Sequence, residues 1–141
     1  MKDMSFREKS AWIVFSGLSV VFGGYFGAMA WSIAQGDGPY GFFGLFLIGL
    51  ALLVASQIIG HSVIALRGPE DARTPRDERD DWVEMRSARI ALPVLGGLVL
   101  LAIGSIHFGA TAPGLANLVL LAVVIGALVQ YGAKIRLYRN S

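Results

Sequence analysis

Cysteine is absent from the 141 residues, which excludes disulfides, thiol redox chemistry and thiolate metal sites. Charge is scarce as well. Asp, Glu, Lys and Arg make up 16% of the chain, against about 25% in an ordinary soluble domain. A formal net charge of +2 is too small to suggest a nucleic-acid partner, which calls for a strongly basic face. The sequence also lacks the His-Glu-x-x-His pair of zinc enzymes, a Gly-rich phosphate loop with its Lys, a Ser nucleophile elbow and the EF-hand spacing. No catalytic residue, metal or cofactor is therefore expected, and the chain reads as non-enzymatic.

Apolar sequence is what the chain has in quantity, at 55% of residues with a mean hydropathy of +0.60. Four runs contain no Asp, Glu, Lys or Arg: 10–34, 41–66, 90–108 and 114–133. Each is close to the ~20 residues that cross a bilayer. Hydrocarbon offers backbone amides no water, so such spans must be helical. Their apolarity is continuous rather than alternating, which argues against a β-barrel. The segments QGDGPYG (35–41) and GATAPG (109–114) carry the Gly and Pro of tight connections. The expected fold is all-α, a single domain of four transmembrane helices in two antiparallel hairpins.

The positions of the basic residues set the expected orientation. Lys2, Arg7 and Lys9 precede the first run; Arg67, Arg73, Arg76, Arg79, Arg86 and Arg89 lie between the second and third; Lys134, Arg136 and Arg139 follow the fourth. Neither short connection contains one. By the positive-inside rule both termini and the central segment 67–89 are cytoplasmic, as in a multi-pass protein of a bacterial inner membrane. Aromatic residues fall at the matching boundaries, with Trp12, Tyr131 and Tyr138 inside and Trp31 and Tyr40 outside. Ala28-Met29-Ala30 has the form of a signal-peptidase site. However, the apolar run before it is longer than a signal peptide's, so it is read as part of the first span.

Small residues four apart are expected to let these helices approach closely. They are Ser19, Gly23 and Gly27 in the first span, Ser56 and Gly60 in the second, Ser105 and Gly109 in the third, and Ala122 and Gly126 in the fourth. Packing within one chain is the main reading, and a homo-oligomer seam is the other. Pro93 is expected to kink the third span. Ser16, Gln57, His61 and Gln130 form a candidate intramembrane polar cluster, read chiefly as interhelical hydrogen bonding at about 0.6 kcal/mol per contact. No span contains a carboxylate of the kind ion-coupled transport employs.

The central segment holds the one dense patch of charge. Asp77, Glu78, Asp80, Asp81 and Glu84 are interleaved with Arg76 and Arg79, and Arg86 and Arg89 follow nearer the membrane. Thr74 as N-cap and Pro75 as first helical residue predict a helix from about residue 75. Running through Phe108, it would be about 51 Å long at 1.5 Å per residue. The early acids then complement the positive end of the helix dipole.

The stretch RDERDDWVEMRSARIA (76–91) resembles the loop between the second and third spans of small, uncharacterised bacterial four-helix membrane proteins. The distinctive residues are Asp77, Glu78, Arg79 and Asp80, and Val83 departs from an expected isoleucine. The resemblance implies a fold and a membrane location and no activity. The functional expectation is an accessory or interaction protein in the lipid bilayer. Its candidate docking site for a cytosolic or membrane protein partner is Asp77, Glu78, Arg79, Asp80, Asp81 and Glu84. The alternative is a small oligomeric channel or transporter using the Gly/Ser/Gln-lined bundle.

Overall fold

Five α-helices make up a computed structural model that describes residues 4–37 and 41–140. They are α1 (Phe6–Ala34), α2 (Phe43–Arg67), α3 (Pro69–Arg73), α4 (Glu78–Gly104) and α5 (Ala112–Asn140). A 3₁₀ turn, Ser105–Phe108, continues α4, and Gly109 closes it with a φ of 85° that glycine adopts without steric cost. Lys2 and Tyr40, assigned above to the inner and outer boundaries, lie outside the described residues.

The four long helices are each long and apolar enough to cross a membrane. At their charged ends the helices run past the uncharged runs, because a helix does not stop where charge begins, whereas α2 begins two residues inside its run. Thus α1 starts at Phe6 on a Ser5 cap whose Oγ accepts from the Glu8 amide at 3.2 Å, and α5 carries Lys134, Arg136 and Arg139 out to Asn140. Pro93 sits inside α4 without ending it.

Packing follows a simple order. α1 packs against both α2 and α5, and α4 packs on α5, so α2 and α4 form the outer flanks of the bundle. α2 has no buried residue. α4 buries Val83, Ser87 and Ala91, at four-residue spacing, and later Ala102. Small side chains on that face let α5 come close, as its own buried Ala122 and Gly126 do in return.

The glycine expectation holds only in part. A side chain at Gly60 would meet Ile13 at 2.7 Å, and one at Gly126 would meet Leu95 at 3.1 Å. A side chain at Gly23 or Gly27 would meet nothing within 4 Å among the described residues, so these two positions are not sites of close helix approach. Besides Gly60, the close α1–α2 approach uses Gly17 and Gly49, against Gln57 and Val21. Between them the core gathers Phe22, Tyr25 and Met29 of α1 around Val124 of α5. Tyr25 makes edge-on contacts with Phe26, Phe42 and Phe46 at centroid distances of 5.1, 6.3 and 6.3 Å, worth about 0.5–1.5 kcal/mol each beyond area burial.

Candidate functional site

The charged segment folds differently from the Thr-Pro reading. Glycine 68 and Pro69 open the short helix α3, and Thr74 is its C-cap, its hydroxyl donating to the Glu70 carbonyl at 3.0 Å. The long helix starts at Glu78, capped by Asp77. Asp77 accepts from the Asp80 amide at 2.9 Å, and Asp80 accepts from the Asp77 amide at 3.3 Å. This reciprocal box satisfies two backbone donors, where a Thr74 cap would satisfy one. Starting at Glu78, the 31 residues to Phe108 reach about 46 Å, so the helix projects about 5 Å less far than a start at 75 implies.

Asp80 does more than cap. Its carboxylate is ion-paired with Arg7 of α1 and accepts from the Tyr138 hydroxyl of α5 at 3.0 Å. Arg7 in turn donates to the Thr74 carbonyl at 3.3 Å. Neighbouring Arg79 donates to the Tyr138 carbonyl at 2.9 Å and lies over its ring. The starts of α1 and α4 and the end of α5 are therefore tied at one carboxylate, whose side chain is only 14% exposed.

Two further ties surround it. Glu84 pairs with Lys134 at 2.7 Å and Arg76 at 3.5 Å, and accepts from Gln130 at 3.4 Å. Buried Glu8 pairs with Arg139 at 3.4 Å, and that guanidinium covers the Trp12 ring at 5.3 Å. Isolated exposed pairs contribute little, about 0–1 kcal/mol. Hydrogen bonds to a partly buried charge contribute more, about 1.5–3 kcal/mol, so Asp80 outweighs the exposed Arg76–Asp81 pair at 3.6 Å.

The six candidate docking residues thus divide. Asp77, Arg79, Asp80 and Glu84 are engaged within the chain. Glu78 and Asp81 stay exposed, Asp81 with 71% of its side chain in solvent and a single long pair, to Arg76.

Of the four residues of the candidate polar cluster, His61 and Gln57 touch each other, while Ser16 and Gln130 bond elsewhere. His61 accepts from or donates to Ser10, at 2.7 Å through Nε2, and its Nδ1 lies 2.8 Å from the Gln57 carbonyl. A backbone carbonyl only accepts, so Nδ1 carries the proton and Ser10 donates to Nε2. Gln57 donates to the Ile13 carbonyl at 3.4 Å. Ser16 turns back on its own helix, donating to the Trp12 carbonyl at 2.7 Å, and Gln130 belongs with Glu84. Ser10, six positions before Ser16, is the α1 partner that sequence spacing missed, because its place near the first charged turn hid it. Among buried polar atoms of the described residues, Trp12 Nε1 and Gln57 Oε1 have no partner.

At the opposite end, a cavity of about 430 Å³ lies among Tyr25, Phe42, Phe46 and Asn117. Its polar groups are already joined: the Tyr25 hydroxyl donates to Asn117 Oδ1 at 2.6 Å, and Asn117 donates to the Pro113 carbonyl at 2.9 Å. Among the described residues, no group of three or more His, Asp or Glu side chains could hold a metal ion.

Residues 7–141 match the model of a family described as "Predicted membrane protein (DUF2178)". No curated protein and no solved structure matches the chain.

Proposed function

The chain belongs to that family of membrane proteins, and on this premise we propose that it is a non-enzymatic accessory protein whose charged end docks a basic partner. In this reading the protein sits in a bacterial inner membrane as two antiparallel hairpins. Both termini and the charged end are cytoplasmic, following the one-sided distribution of Lys and Arg.

The observation that supports docking is the division of the acids. Asp77, Asp80 and Glu84 are committed to caps and ion pairs, which hold the first turn of α4 in a fixed pose. Glu78 and Asp81 then project from that turn into solvent, Asp81 held only by its exposed 3.6 Å pair with Arg76. A pre-ordered pair of carboxylates loses little entropy on meeting a Lys- or Arg-bearing surface. The polar residues inside the spans support the accessory reading over transport, since Gln57, His61 and Gln130 are each engaged in contacts between or within helices.

Copurification in mild detergent tests this. Glu78→Lys with Asp81→Lys is expected to abolish recovery of the partner while leaving the protein folded and monodisperse. Undiminished recovery with the doubly reversed protein would sink the docking reading.

A further inference from the structure

The basic residues at the charged end are not all used by its acids. Arg7, Arg76, Lys134 and Arg139 each have a carboxylate partner. Arg86 of α4 and Arg136 of α5 have none among the described residues. These two arginines line the same groove, of about 480 Å³, between α4 and α5. Ile90 and Ala133 form part of its apolar lining, Asn140 adds an amide, and no carboxylate lines it.

Depth matters as much as charge. The uncharged runs begin at Ile90 on α4 and end at Ala133 on α5, so each arginine stands about one turn outside the hydrocarbon, at headgroup level. Arg86 lies over the Trp82 ring at 5.3 Å. Stacking occupies the face of a guanidinium and leaves its N–H edge available for oxygen ligands. Trp82 is itself exposed, as an indole at the membrane interface is expected to be.

We infer that this groove binds one anionic phospholipid, with the phosphate held between Arg86 and Arg136 and an acyl chain laid along Ile90 and Ala133. Planar guanidinium forks match the geometry of phosphate oxygens, and basic grooves between transmembrane helices commonly accept such headgroups. The apolar wall continuing into the membrane selects a lipid over a free phosphate. Two cations in a groove with no carboxylate in its lining select a net-negative headgroup over a zwitterionic one, whose ammonium they repel.

Native mass measurement of the detergent-solubilised protein, with phosphatidylglycerol or phosphatidylcholine added at equal concentration, tests the site. The wild-type chain is expected to retain one phosphatidylglycerol, favoured roughly tenfold or more, as two basic groups at an anionic surface imply. Arg86→Gln with Arg136→Gln removes that preference. Arg89→Gln, an equal change of charge on an arginine outside the groove, keeps it. Ala133→Leu fills the apolar wall without altering charge and lowers retention, giving a second reading that does not depend on removing either arginine. Retention unchanged in the double glutamine variant or in Ala133→Leu overturns the assignment. So does an equal loss in Arg89→Gln, or displacement of the lipid by excess inorganic phosphate.

Discussion

Asp80 shows how one residue in a crowd of like charges can carry most of the structural burden. It shares a helical turn with Glu78, Asp77 and Asp81, yet it alone meets the cap amide, the Arg7 guanidinium and the Tyr138 hydroxyl. Asp80→Asn keeps the size of the side chain and removes its charge. It is expected to lower the stability of the detergent-solubilised protein by about 1–3 kcal/mol, since Arg7 then loses its carboxylate. Asp81→Asn, whose side chain is largely in solvent, is expected to stay within about 0.5 kcal/mol. Thermal unfolding of the two variants side by side measures the difference. The sequence marks both as acids of one dense patch. It cannot rank them, because the ranking depends on Arg7 and Tyr138, which come from distant parts of the chain.

At the scale of single elements, the apolar runs made the long helices legible. The requirement that backbone groups bond internally in hydrocarbon leaves few alternatives. Their ends were less so. Thr74 and Pro75 have the residue types of a helix start, but α3 claims Thr74 for its C-cap and the reciprocal Asp77–Asp80 box starts α4 three residues later. Asp77→Ala is expected to cost about 1 kcal/mol of stability, while Thr74→Ala removes only an exposed hydroxyl contact within α3 and costs less. Hydrogen exchange at the amides of Asp80 and Asp81 reports this directly, with protection falling in the first variant and persisting in the second. Small-residue spacing was a similarly incomplete guide. It located Gly60 and Gly126 at true close approaches, but Gly23 and Gly27 face open space among the described residues. Spacing tells which residues share a face and not which helix, if any, lies opposite.

For the whole molecule, the charged end joins what the spans keep apart. Arg7, Asp80 and Tyr138 bind the ends of α1, α4 and α5, and Ser10 with His61 fastens α2 to α1. Such ties suit a membrane bundle, where apolar helices gain little by leaving lipid for one another. In the proposed reading, exposed Glu78 and Asp81 (the latter in a 3.6 Å pair with Arg76) meet a partner, and Arg86 and Arg136 meet the membrane surface. In the proposed topology the charged end faces the cytoplasm, with the 35–41 connection on the other side. The chain has no cysteine, so single cysteines can be introduced without background. Labelling of intact cells with a membrane-impermeant maleimide, comparing Asp37→Cys with Asp81→Cys, tests this most directly. The expected result is modification of the cysteine at 37 in intact cells and of that at 81 only after the membrane is opened; modification at 81 in intact cells would contradict it.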